Sequence, residues 1–161
     1  MQTRIVAVDG LGGAGKSTFA ERLAHELGGA PVVHTDDFAS WENPVDWWPR
    51  LLDEVLGPLG ENRRASFVPN AWGGLPKAEV VVEPGGFVVL EGVTASREAF
   101  RPYLAYTIWI ETPRELRLRR GLERDGADAR AHWEAWMAAE DEYVARERPH
   151  LRADVVVRGD A

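Results

Sequence analysis

The run GLGGAGKST, directly after the apolar stretch RIVAV (residues 4–8), constrains this chain more than any other feature. Gly10, Gly12, Gly13 and Gly15 crowd together just ahead of Lys16, Ser17 and Thr18. A loop so bare of side chains gives up packing and conformational order, which makes sense where a ligand must come close to the backbone. The spacing from Gly10 to Ser17, with Ala14 inside it, satisfies G-x-x-x-x-G-K-[ST] in full. In that pattern the backbone N–H groups wrap phosphate oxygens and the following helix points its positive end at them. Lys16 is placed for the β- and γ-phosphates, and the Ser17 hydroxyl for Mg2+. The motif requires a strand before it and a helix after it. The flanking residues predict both.

Short apolar runs rich in β-branched residues alternate with helical stretches along the rest of the chain. Strands are predicted at 4–8, 31–35, 87–91, 106–111 and 153–157, and helices over 16–27, from 113, and over about 128–147. Gly28-Gly29 ends the first helix. Thr112-Pro113-Arg114-Glu115 supplies a cap, a first-turn proline and a capping-box glutamate for the second. Continuous rather than alternating apolar strands indicate a parallel sheet covered on both faces, an α/β fold. The length of 161 residues suits one domain. Residues 39–84 interrupt the alternation as an insertion between the second and third strands. They hold Pro44, Pro49, Pro58, Pro69 and Pro76 with Trp41, Trp47, Trp48 and Trp72. A short helix over about 45–56 and a hairpin or irregular stretch around SFVPNAWGG are expected there. The tryptophans either line a substrate pocket or cover the sheet edge.

The phosphate loop serves switches, motors and transferases alike, so the residues at the other strand ends must discriminate. His34-Thr35-Asp36-Asp37-Phe38 follows the second strand, where open α/β sheets bind ligands. A carboxylate there can take the proton of an attacking hydroxyl, or it can cap a helix or reach Thr18 and Mg2+ through water. Glu91 ends the third strand in the position that holds Mg2+ directly or through water. Arg117, Arg120 and Arg124 are spaced i, i+3 and i+7, on one side of the helix after the fourth strand. With Gly121 and Gly126 as hinges, residues 117–128 read as a lid delivering positive charge. The plainer alternative is a solvated basic face paired with Glu115, Glu123 and Asp125.

A net charge of −7 opposes sequence-independent binding to nucleic acid, which needs a broad basic face. No run reaches the roughly 18 apolar residues of a membrane span, and no leader precedes the first strand, so a cytoplasmic protein is expected. The absence of cysteine rules out disulfides and thiolate chemistry. Nothing in the sequence decides whether the chain forms a homo-oligomer.

Taken together, these residues resemble the uridine kinase and pantothenate kinase group of P-loop kinases over most of the chain. IVAVDGLGGAGKST looks like the first strand and phosphate loop, and HTDDF like the D-x-F motif, with Asp36 at the general-base position. VVLEG looks like the V-x-x-E-G strand, with Glu91 in the magnesium role. RLRRGLERD is similar to the lid, matching Arg117, Arg120, Arg124 and Asp125. The resemblance implies a five-stranded sheet of order 2-3-1-4-5 and transfer of the γ-phosphate of ATP, with Mg2+, to a hydroxyl of a nucleoside-like small-molecule acceptor, the alternatives being a nucleoside monophosphate, a sugar, an acid or an antibiotic. Residues 39–84 contain no clear counterpart of the family's uracil-holding side chains. Asp36, Asp37, Phe38, Trp41 and Trp72 are the expected acceptor contacts, with Arg97, Arg63 or Arg64 available to an anionic acceptor. A nucleotide-dependent switch is the rival reading, but an N-K-x-D motif and an obvious water-positioning glutamine are both missing.

Overall fold

The computed structural model describes residues 2–160; Met1 and Ala161, the ends of the expected single domain, lie outside the described residues. β1 (Arg4–Gly10) is buried from Ile5 onward and takes the centre of a five-stranded sheet. The phosphate loop follows it, then α1 (Lys16–Glu26). β2 (Val32–His34) runs into a 3-10 turn, Thr35–Asp37. The inserted segment contributes α2 (Trp48–Leu51), α3 (Gly57–Gly60), β3 (Ala65–Phe67) and β4 (Val80–Val82). β5 (Phe87–Glu91), β6 (Leu104–Glu111), α4 (Arg114–Asp125), α5 (Arg130–Glu147), α6 (Pro149–Arg152) and β7 (Val155–Arg158) complete the chain. The sheet order is β2-β5-β1-β6-β7, all parallel. Counting only these five strands, that is the expected 2-3-1-4-5.

Both faces of the sheet are covered, which explains strands without alternation. On one face Val6, Val8, Val89, Ile108 and Ile110 pack against Ala20 and Ala24 of α1. On the other, Ile5, Ala7, Val33, Val88 and Leu90 meet the inserted segment, Phe100 and Trp136 of α5. The register pairs His34 with Glu91 and Glu91 with Val8, so the carboxyl ends of three strands open onto one crevice beside the phosphate loop. Among the described residues no helix is long and apolar enough to cross a membrane.

Two local expectations change, and of the alternatives for the stretch around SFVPNAWGG the hairpin is present. The helix expected over 45–56 begins at Trp48 and continues through a π-helical stretch, Leu52–Leu56, to Gly60. Pro58 has no N–H to donate four residues back, and the Gly57 N–H reaches five residues back to the Leu52 carbonyl. The hairpin pairs β3 with β4 in a separate two-stranded sheet, Phe67 opposite Val80. Thr112 does not cap α4: its hydroxyl donates to the Ala14 carbonyl at 2.9 Å, and α4 starts without a side-chain cap.

Asp9, fully buried at the end of β1, ties these layers together. It accepts hydrogen bonds from the Gly10, Thr94 and Ser96 N–H groups, from the Ser96 hydroxyl at 2.6 Å and from the Tyr143 hydroxyl at 2.7 Å. A buried carboxylate needs this many donors to offset its lost hydration. Even so, burial raises its pKa.

Candidate active site

The phosphate loop is held from behind by side chains distant in sequence. The Gly12 N–H donates to Glu140 Oε2 at 2.7 Å, and Arg120 donates to the carbonyls of Gly13 at 3.1 Å and Gly159 at 2.9 Å. Gly13 has φ +78°, and a Cβ there would collide with the Arg117 carbonyl, so helix α4 lies directly against the loop backbone. Gly12, Gly13, Gly15, Lys16, Ser17 and Thr18 line the cleft; Gly10 and Ala14 stand behind it, Gly10 bonded to Asp9 and Ala14 packed into the core. Lys16 is buried and its Nζ donates to the Leu11 carbonyl at 2.8 Å. The N–H groups of Lys16 and Ser17 open α1, where no helical carbonyl can accept them.

The cleft has a volume of about 550 Å³, within the range of small-molecule sites. Asp36 and Glu91 both line it. Glu91 Oε2 lies 3.5 Å from Ser17 Oγ and 2.8 Å from His34 Nδ1. The bond to Glu91 raises the His34 pKa. Asp36 keeps an accessible surface at the cleft mouth, yet the walls surround it closely enough that desolvation raises its pKa; Lys16 counters this shift and Glu91 adds to it. Among the described residues no three His, Asp or Glu side chains gather as a metal cage. An oxygen pair such as Ser17 and Glu91 suits Mg2+, which keeps waters and phosphate oxygens as its remaining ligands.

A tryptophan wall lines the cleft beside Asp36. Trp41, Trp72 and Trp136 pack on one another with ring centroids 5.4–5.8 Å apart, and His132 lies 5.0 Å from Trp41. Trp72 Nε1 donates to the Asp36 carbonyl at 2.8 Å. Trp136 Nε1 donates to Glu140 and Trp133 Nε1 to Asp125, at 3.1 and 2.8 Å. The N–H groups of Trp72, Trp133 and Trp136 are therefore engaged within the protein, leaving their faces and edges to the cleft. Arg124 pairs with Asp125 and lies over the Trp133 ring, 5.6 Å from its centroid.

The structure thus brings Asp36, Trp41, Trp72, Arg120 and Arg124 into the cleft with the loop and Glu91. It leaves three expected acceptor contacts outside. Phe38 is 3% exposed, packed against Phe67 and Trp47. Asp37 lies beyond the lining, half-buried, and desolvation raises its pKa. Arg97 is buried, its guanidinium donating to the Val45 carbonyl at 2.6 Å and lying over Trp48. Arg63 and Arg64 are exposed and paired with Glu61 and Glu83. Arg117, expected in the lid, is buried and donates to the Thr112 carbonyl. Gly121, expected as a hinge, lies within an unbroken α4, and the Trp133 ring fills the space a Cβ would take. Sequence reasoning missed His34, Trp133, Trp136 and Glu140 as parts of the site. The available signal was a glutamate four residues after Trp136, on the same helix face as Trp133, Met137 and Tyr143.

Fold and loop together define a three-layer α/β/α architecture with a P-loop after its central strand. Among solved structures the chain is similar to a possible uridine kinase from Bacillus stearothermophilus, with TM-score 0.72, 22% identity, and 98% of this chain and 89% of that one covered. It is also similar to a putative fructose transport system kinase from Silicibacter sp. TM1040, with TM-score 0.74, 19% identity and coverage of 96% and 89%. A protein from Thermus thermophilus matches at TM-score 0.56 and 21% identity over 98% and 89%. The expected resemblance to uridine kinase-like P-loop kinases is therefore present at the level of the fold. No protein-family model and no curated protein matches the sequence.

Proposed function

We propose that this chain is a Mg·ATP-dependent kinase that phosphorylates a hydroxyl of a small, uncharged, flat acceptor, nucleoside-like in shape. The observation that carries the reading is the position of Asp36. Its carboxylate shares one cleft with the phosphate loop, the Ser17–Glu91 pair and the indoles of Trp41, Trp72 and Trp136. A switch that only hydrolyses has no use for a base beside an aromatic wall.

In this reading the loop backbone and Lys16 hold the nucleotide phosphates, and Ser17 and Glu91 are the protein ligands for magnesium. Magnesium, when bound, supplies positive charge to the phosphate oxygens. Asp36 accepts the acceptor's hydroxyl proton as the new oxygen–phosphorus bond forms and the bond to the leaving ADP oxygen breaks. Arg120 and Arg124 add positive charge on the lid side. Trp41, Trp72 and Trp136 stack on the flat body of the acceptor. An acceptor with its own phosphate fits less well, because the three cations of the lining, Lys16, Arg120 and Arg124, all serve the nucleotide in this reading.

The test is a panel of hydroxyl compounds with Mg·ATP, following ADP release. At least one uncharged acceptor should raise turnover well above background hydrolysis, and Asp36→Asn should cut that turnover about 10²–10⁴-fold while Mg·ADP affinity is kept. Turnover that no acceptor stimulates, or that survives in Asp36→Asn, refutes the proposal.

A further inference from the structure

One buried carboxylate oxygen joins the two halves of the cleft. Glu140 is fully buried on α5, and its Oε2 accepts both the Gly12 N–H of the phosphate loop, at 2.7 Å, and the Trp136 indole N–H, at 3.1 Å. Trp136 packs against Trp41 and Trp72, and Trp72 bonds the Asp36 carbonyl. A continuous path of contacts therefore runs from the phosphate-binding backbone to the backbone of the proposed base. Its other oxygen, Oε1, has no hydrogen-bond partner among the described residues, and neither does Arg117 Nη1, buried 3.8 Å away. A buried ion pair that stops short of hydrogen-bond distance has a second arrangement within reach, in which the two groups close. Arg117 in turn has its carbonyl against Gly13 and donates its Nε to the Thr112 carbonyl, while the Thr112 hydroxyl bonds Ala14. A shift in the loop backbone is thus felt at Glu140 from two directions.

We propose that Glu140 is a positioning residue that couples the phosphate loop to the tryptophan wall, so that nucleotide and acceptor strengthen each other's binding. The proposal rests on the kinase reading above. Glu140 touches neither substrate in it; it acts through Gly12 and Trp136. The coupling is reciprocal, as linkage requires. Because leaving Glu140 unsatisfied in the interior is costly, Trp136 must follow where Gly12 moves.

The seven tryptophans provide the test through their indole N–H signals in ¹⁵N NMR, each assigned by its loss in a Trp→Phe variant. Mg·ADP is the probe. In the wild type, saturation with Mg·ADP should shift the Trp72 signal. Trp136→Phe keeps an aromatic ring but removes the donor to Glu140; it should reduce the Trp72 response to less than about one-third while Mg·ADP affinity stays within about three-fold. A direct effect of the nucleotide on Trp72 would survive that substitution. Glu140→Gln, which keeps an acceptor oxygen but loses the charge facing Arg117, should weaken the response in the same direction. With an acceptor from the panel, its KM should differ about five-fold or more between low and saturating Mg·ATP in the wild type, and less than two-fold in Trp136→Phe. A wild-type Trp72 response in both variants overturns the coupling and leaves the kinase reading intact. Coupling without any stimulated turnover overturns the kinase reading alone. Failure of Mg·ADP to bind overturns both.

Discussion

The base role proposed for Asp36 makes two demands on one side chain: access to an acceptor and a pKa suited to taking a proton. Desolvation lifts its pKa above the ordinary 3.8, Lys16 opposes the lift, and Glu91 adds to it. The base works as a carboxylate, so kcat/KM should fall as pH drops through the raised value, giving an acid limb above the ordinary aspartate range. A pH–rate profile that stays flat down to pH about 4 removes Asp36 from the base role. Asp36 was legible because its position after a strand, beside a phosphate loop, is a local pattern. Phe38 and Arg97 were misassigned because local pattern does not reveal which way a side chain turns. Phe38 turns inward to Phe67, and Arg97 turns to a carbonyl fifty-two residues away. Trp47 likewise serves the core and Trp41 the cleft, though both lie in the same proline-rich segment.

At the scale of elements, the contact between α4 and α5 sets the shape of the cleft on the side of Arg120 and Arg124. Trp133 of α5 lies where a Cβ at Gly121 would project, so the two helices approach through a glycine. Gly121→Ala should therefore destabilise the fold by about 1–3 kcal/mol, the cost of overpacking, although alanine is the better helix former. Thermal melting of this variant checks it, and an unchanged or raised Tm would contradict the close packing described. The same contact explains why a glycine read as a hinge is not one: it makes room for a partner twelve residues later in the chain. The uncapped start of α4 has a similar cause, since the Thr112 hydroxyl goes to the phosphate loop. In both cases the local rule met a tertiary partner that the rule does not contain.

For the molecule as a whole, a parallel sheet covered on both faces was legible from continuous apolar strands and alternating helices, while the strand order came from the resemblance of the motifs. What stayed hidden were the ties across the sheet. Asp9 meets Tyr143, and Glu140 meets Gly12, over sequence separations of 134 and 128 residues. Asp9, Asp36 and Glu140 all have pKa values raised by desolvation, so each favours the folded state when protonated. Their contribution to stability is present below the ordinary carboxylate values and is lost as pH rises toward the raised ones. Removing one such group removes its share of that loss. The Tm of Asp36→Asn relative to the wild type should therefore grow as pH is raised from about 4 to 7. A constant difference across that range contradicts the raised pKa.

The tryptophan wall has a further consequence, which is optical. Trp41, Trp72 and Trp136 lie with ring centroids under 6 Å apart, two of the three pairs edge to face. Indole transition dipoles at such separations and angles share their excitation, so the three rings absorb as a coupled chromophore with its own circular dichroism. That chromophore forms one wall of the cleft, and a flat molecule stacking against it changes the exchange between its members. The protein thus carries, without any added label, a reporter of whatever enters beside Asp36.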